Sequence, residues 1–120
     1  MISMFAIPNC DTVKKARKFL EHHQVVYEFI DFKKTPPTKE QIKLWGEFAG
    51  ELPINKKGTT YRKYKDHYEG LSSLQQIDFI IANPSLIKRP VLVQDNRILA
   101  LGFAEEHYEH LLKSLRDSAR

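Results

Sequence analysis

Residues 1–20, MISMFAIPNCDTVKKARKFL, join an uncharged apolar segment directly to an amphipathic one. Residues 1–7 predict a short buried strand, which the dipeptide Pro8-Asn9 ends. From Asp11 onward, apolar residues recur at the spacing of one helical face, while lysines occupy the other face. Cys10 therefore falls at a strand-to-helix junction, at or next to the N-cap of the helix.

The rest of the chain shows further strand and helix patterns separated by turn residues. In chain order, the predicted elements are a strand over residues 25–32, a helix from the capping box Thr38-x-x-Gln41 to Gly50, a loop over residues 55–58, a helix over residues 72–82, strands over residues 91–93 and 98–101, and a last helix after Gly102-Phe103. On the helix over residues 72–82, the side chains expected to face the core are Leu74, Ile77, Ile80 and Ile81.

This order reads β-α-β, then a helical stretch, then β-β-α. The helix between the first two strands predicts that they are parallel, and Asp95-Asn96 predicts a hairpin between the last two. The order is typical of a thioredoxin-like α/β fold with a mixed four-stranded sheet flanked by helices. We predict one domain over residues 1–120, with a mainly helical insertion at about 36–85.

Composition limits the functional classes. Hydrophobic residues make up 42% of the chain and charged residues 28%, which is typical of globular proteins. No apolar run approaches the roughly 20 residues of a membrane span, and the N-terminus lacks the pattern of a signal peptide. We therefore expect a cytoplasmic protein without membrane contact. A net charge of +4 suits anionic small molecules or acidic partners, and we expect no direct binding of nucleic acid.

The cysteine and histidine content argues against structural cross-links. One cysteine excludes an intramolecular disulfide and a cysteine-based zinc cluster. His107 and His110 lie three residues apart, but no third ligand accompanies them, and we predict no metal site.

Cys10 is the strongest candidate for chemistry. Backbone N–H groups and the positive dipole end of a helix stabilise a thiolate, so the thiol pKa is expected below its free value of about 8.5. The Thr12 hydroxyl is expected to add a hydrogen bond to the sulfur, and Lys14 and Lys15 to add positive potential. The alternative is that Cys10 is a small buried hydrophobic residue.

Arg89-Pro90 is the second candidate. In thioredoxin-type folds a cis proline lies opposite the cysteine helix, and a cis Pro90 would bring Arg89 to the thiol. A guanidinium there would bind an oxyanion and lower the thiol pKa further. The alternative is an ordinary start of a strand. Similarly, Asn55 and Lys57, with Arg62 and Lys63, either close over an anionic ligand or form a solvated loop.

Taken together, these residues resemble the ArsC/Spx family of thioredoxin-like proteins over essentially the whole chain. The motifs that carry the resemblance are Pro8-Asn9-Cys10-Asp11-Thr12-Val13-Lys14-Lys15-Ala16-Arg17, Asn83-Pro84-x-x-Ile87-Lys88-Arg89-Pro90 and Gly102-Phe103.

The resemblance implies a nucleophile and one oxyanion ligand. The family's glutaredoxin-linked arsenate reductases attack arsenate with an N-terminal cysteine and hold the oxyanion with three arginines. Cys10 matches the nucleophile and Arg89 one arginine. The other two arginines fall by position near Asn55 and at Phe103. This chain therefore lacks the charge-assisted hydrogen bonds of two arginines, each of which contributes roughly 1.5–3 kcal/mol. Arsenate is accordingly expected to be a poor substrate.

A YffB-type subgroup fits the sequence better, on Asn9 to Arg17 and on Gly58-Thr59-Thr60-Tyr61-Arg62-Lys63. This resemblance implies a glutathione-dependent thiol reductase with catalytic Cys10 and Arg89 and no bound cofactor. One cysteine cannot resolve its own mixed disulfide, so glutathione, as cosubstrate, or a glutaredoxin must do so. The substrate is a small-molecule or protein thiol or disulfide, and the residues expected to bind substrate or glutathione are Asn9, Thr12, Lys14, Asn55, Lys57 and Pro90.

The alternative comes from the same family. An Spx-like regulator would bind RNA polymerase without catalysis. Such regulators often carry a Cys-x-x-Cys redox switch, whereas the position three residues after Cys10 is Val13.

Overall fold

The computed structural model describes residues 1–118, which contain four strands, five α-helices and one 3-10 turn. In chain order these elements are β1 (Ile2–Ala6), α1 (Asp11–His22), β2 (Tyr27–Asp31), α2 (Lys39–Ala49), α3 (Thr59–Glu69), α4 (Ser73–Ala82), the 3-10 turn (Pro84–Leu86), β3 (Val91–Gln94), β4 (Arg97–Leu101) and α5 (Glu105–Ser118). The predicted thioredoxin-like α/β fold is confirmed. No helix within residues 1–118 is long and apolar enough to cross a membrane.

The four strands form one mixed sheet in the order β2-β1-β3-β4. β3 pairs antiparallel with both of its neighbours, and Phe5 of β1 lies opposite Val91 of β3. The turn from β3 to β4 is the predicted hairpin. Asp95 and Asn96 both adopt positive φ, at 49° and 65°, which is the conformation that a tight hairpin turn requires.

The chain forms two compact units, and the candidate nucleophile belongs to the first. The first unit combines Met1–Ile30 with the chain from Arg89 onward. Its core joins the sheet to α1 and α5, and its fully buried side chains include Met4, Val13, Ala16, Leu20, Leu92, Ala100 and Tyr108. The buried positions on α1 recur every three or four residues, so the amphipathic pattern of the sequence becomes one packed helix face.

The second unit, Asp31–Lys88, contains α2, α3 and α4. Trp45 and Ile42 of α2 are buried, and the Trp45 ring lies 6.0 Å from that of Phe32. An isolated antiparallel bridge joins Ile54 to Ile87. The unit is mainly helical, as the sequence predicts for this stretch.

Two details of the second unit differ from the sequence predictions. α3 was not predicted, because Thr59–Glu69 is rich in charged residues and only Tyr61 and Tyr68 are buried on it. The prediction that Leu74 faces the core is wrong, since the residue is 68% exposed. The buried residues of α4 begin with Ile77, one turn after Leu74.

Candidate functional site at the N-terminus of α1

Cys10 is the N-cap of α1, as the sequence predicts. Its φ and ψ of −145° and 127° are extended, which is typical of an N-cap residue. The Cys10 carbonyl oxygen accepts the first helical hydrogen bond from Lys14 N–H at 2.9 Å, and Cys10 N–H donates to the Pro8 carbonyl at 3.0 Å. The residue is half-buried against the core of the first unit.

Arg89 precedes β3, which is the strand next to β1, so it lies at the same end of the sheet as Cys10. Its Nη2 donates a hydrogen bond to Cys10 Sγ at 3.8 Å, a long contact of the kind that a large sulfur atom makes. The Arg89–Pro90 peptide bond is cis, which is one of the two alternatives that the sequence left open, and Pro90 is buried. The Pro90 carbonyl accepts the Gly102 N–H at 2.9 Å. Gly102 has a φ of 83°, a conformation that favours glycine. Its hydrogen bond ties the Gly102-Phe103 motif to Pro90, the residue that follows Arg89.

The surroundings of Cys10 favour the thiolate. Partial burial raises the thiol pKa, but the Val13 backbone N–H, the hydrogen bond and charge of Arg89, and the Thr12 backbone N–H lower it by more. The net pKa of Cys10 is therefore below its ordinary value. The sulfur makes no capping hydrogen bond of ordinary geometry, so we attribute the effect of the two N–H groups to the electrostatic field of the helix terminus.

Three other predicted site residues of the first unit, Asn9, Thr12 and Lys14, lie close to Cys10 along the chain. Thr12 contributes through its backbone N–H. Asn9 and Lys14 are exposed, on the bend before α1 and on its first turn. Their contacts to a substrate or to glutathione stay predictions, as does that of Pro90.

Asn55 and Lys57 belong to the second unit. The Asn55 side chain accepts the Lys57 N–H at 3.3 Å, and its backbone carbonyl accepts the Gly58 N–H at 3.1 Å. Asn55 thus shapes the turn that precedes α3, while Lys57 is exposed. Arg62 and Lys63 lie on the first turns of α3. The role of these residues in binding an anion stays a prediction.

Two features of the first unit went unrecognised in the sequence. Val13 was read only as a core position, although it is N3 of α1, where the orphan N–H of a helix start is expected. Phe103 packs its ring 4.8 Å from Tyr108 and 6.0 Å from Phe19. Aromatic side chains therefore occupy the position at which the resemblance places an arginine.

Within residues 1–118, no group of three histidine, cysteine or acidic side chains is arranged to hold a metal ion.

Comparison with known proteins fits this arrangement. The ArsC family model matches residues 5–111. The chain belongs to the ArsC family. The matched segment contains Cys10, Arg89 and Pro90, so the candidate site lies inside the part of the chain that the family model matches.

Individual relatives point to two kinds of protein. The global transcriptional regulator Spx of Streptococcus mutans is 29% identical over 115 residues, which cover 93% of this chain and 83% of Spx. The solved structure of the YFFB (PA3664) protein is 34% identical, with a TM-score of 0.81, and the match covers 93% of this chain and 99% of that one. An arsenate reductase (ArsC) related protein from Brucella melitensis is also 34% identical, with a TM-score of 0.70 and coverage of 93% and 94%.

Proposed function

We propose that this ArsC-family protein is a glutathione-dependent thiol reductase with Cys10 as its nucleophile. The observation that carries the proposal is the arrangement at the sulfur. Cys10 is the N-cap residue of α1, and Arg89 Nη2 donates to Sγ at 3.8 Å, so the thiolate is favoured at a half-buried site. The likeness to the YFFB (PA3664) protein and to an arsenate reductase (ArsC) related protein supports thiol-based chemistry at this position.

The reaction runs in two balanced steps. The Cys10 thiolate attacks one sulfur of a disulfide between glutathione and a second thiol, forms a Cys10–glutathione disulfide and releases the second thiol as its thiolate. A free glutathione thiolate then attacks the glutathione sulfur of that disulfide and releases Cys10 as thiolate, with oxidised glutathione as product. Because the chain contains one cysteine, the second step requires glutathione or a glutaredoxin.

Arg89 acts on both steps through its charge. A guanidinium beside Sγ stabilises the thiolate as attacking group and again as leaving group. In this proposal Lys14 holds a carboxylate of glutathione, while Asn9, Thr12 and Pro90 complete the binding site within the first unit. We place the reaction in the cytoplasm, where glutathione keeps thiols reduced.

Mass spectrometry tests the covalent intermediate. After incubation with oxidised glutathione, the wild-type protein should gain one glutathione by disulfide exchange, and reduced glutathione should remove it. Cys10→Ser is the matched control and should remain unmodified. An unmodified Cys10 in the wild type, under conditions in which a small-molecule thiol exchanges completely, contradicts the proposal.

Arsenate should be reduced poorly in the presence of glutathione and glutaredoxin, because Asn55 and Phe103 occupy the positions of two expected arginines.

A second candidate is an Spx-like regulator that binds RNA polymerase without catalysis, and the match to Spx favours it. Binding to the C-terminal domain of the polymerase α subunit distinguishes the two proposals. The reductase proposal predicts turnover with glutathione and no stable complex with that domain. A stable complex without turnover supports the regulator.

A further inference from the structure

A groove of about 540 Å³ follows one face of α1 beyond the thiol site. Its apolar wall consists of Phe19 from α1 and Phe103 from the turn before α5, with ring centroids 6.0 Å apart. The His23 ring extends this wall, since its centroid lies 4.4 Å from that of Phe19. The proposed thiol reaction uses none of these three rings as a reacting group.

The rim of the groove is positively charged. Lys15 and Lys18 line it from consecutive turns of α1, and both side chains are exposed. His22 lines it one turn further along, and one carboxylate, Glu105, faces these residues. Two ammonium groups beside an aromatic wall complement a ligand that carries negative charge and a flat apolar body.

We propose that this groove binds small planar anions, that is, aromatic molecules with a carboxylate or sulfonate group. Its volume lies within the range of about 300–1,000 Å³ that is typical of small-molecule sites. The half-buried rings of Phe103 and His23 would contact the flat body of the ligand, and the buried Phe19 ring packs against both of them. Lys15 and Lys18 would pair with its acidic group, and Glu105 would disfavour ligands that carry a second negative charge at the opposite end.

The site goes beyond the proposed thiol chemistry. Lys15 follows Cys10 by five residues, which corresponds to roughly 7 Å along a helix axis, and the groove continues to His23. A ligand there need not touch the sulfur. Binding should therefore be the same in wild type and in Cys10→Ser, so failure of this proposal and failure of the reductase proposal can be told apart.

Fluorescence titration with 8-anilino-1-naphthalenesulfonate tests the proposal. We expect saturable binding of one probe molecule to the folded protein. The double variant K15E/K18E should weaken binding by about tenfold or more, because two attractive charges near the sulfonate become repulsive. K43E/K65E is the matched control, since it changes two exposed lysines outside the groove and alters the net charge equally. It should bind almost as well as wild type.

Amide chemical shifts of the wild-type protein locate the probe independently of any variant. Shifts concentrated in residues 15–23 and 103–105 support the groove. Shifts confined to other residues, or an equal loss of affinity in K15E/K18E and K43E/K65E, would overturn the proposal. The uncharged analogue N-phenyl-1-naphthylamine should show no difference between wild type and K15E/K18E, and a difference of the same size as for the sulfonate would count against charge recognition.

Discussion

At the start of α4, Ser72 Oγ accepts the Gln75 N–H at 3.3 Å, and Gln75 Oε1 accepts the Ser72 N–H at 3.0 Å. At the start of α1, the N-cap residue is Cys10, and its side chain makes no capping hydrogen bond. Both helices face the same requirement, because the first N–H groups of a helix have no partner within it. α4 meets the requirement with a reciprocal capping box, whereas α1 leaves its N–H groups directed at a thiol.

The difference separates a terminus that stabilises the fold from one that lowers the pKa of a thiol. α2 is capped like α4, through Thr38 and Gln41. A thiol is a weak hydrogen-bond acceptor, so Cys10 contributes less to helix stability than serine or threonine would. The same helix terminus, together with Arg89, favours the thiolate form of Cys10. Three predictions probe this comparison.

The largest effect is expected from Arg89→Ala. Removal of the guanidinium 3.8 Å from Sγ should raise the pKa of Cys10 and slow alkylation by iodoacetamide at neutral pH. Each pKa unit regained lowers the thiolate fraction about tenfold at a pH below the pKa. The pH dependence of the alkylation rate measures the shift.

Arg97→Ala is the control for this variant, because it removes an exposed arginine from β4. It should leave the alkylation profile unchanged. If both variants shift the alkylation profile equally, the net charge of the protein and not the contact of Arg89 with Sγ lowers the Cys10 pKa. The contrast between the two helix termini would then not depend on Arg89.

The local pattern around Cys10 was predictable from sequence, and longer-range packing was not. Strand β1, the N-cap position and the capping box at Thr38 follow from adjacent residues, and so does the hairpin at Asp95-Asn96. The contact between Cys10 and Arg89 spans 79 residues, and only the likeness to thioredoxin-type folds and to the ArsC/Spx family suggested it. α3 was not predicted because most of its residues are charged or polar and only two tyrosines, Tyr61 and Tyr68, are buried on it. The exposure of Leu74 was not predictable either, because it depends on which turn of α4 first packs against the rest of the unit.

A medium effect is expected when capping side chains are removed or introduced. Ser72→Ala and Thr38→Ala should each lower the free energy of unfolding by about 1 kcal/mol, through loss of the cap. Cys10→Ser should leave it unchanged or raise it by up to about 1 kcal/mol, because the extended backbone at Cys10 suits a capping hydroxyl. Urea denaturation with a common m-value measures all three. A loss in Cys10→Ser as large as in Ser72→Ala would mean that Cys10 stabilises α1 more than a capping hydroxyl does, which contradicts the comparison of the two helix termini.

The smallest effect is a dependence of stability on pH that belongs to Cys10 alone. The pKa of this thiol is lower in the folded protein than in the unfolded chain, so the folded state loses the proton first as pH rises. The contribution of Cys10 to stability should be absent below the folded-state pKa, grow with pH between the two pKa values, and be complete above the unfolded value of about 8.5. The measurement is the free energy of unfolding of wild type minus that of Cys10→Ser, under reducing conditions, from pH 5 upward. The difference should rise by less than about 1 kcal/mol, because solvent screens a half-exposed pair. A difference that falls with pH would mean that burial outweighs the helix terminus and Arg89, and that Cys10 is held as a thiol.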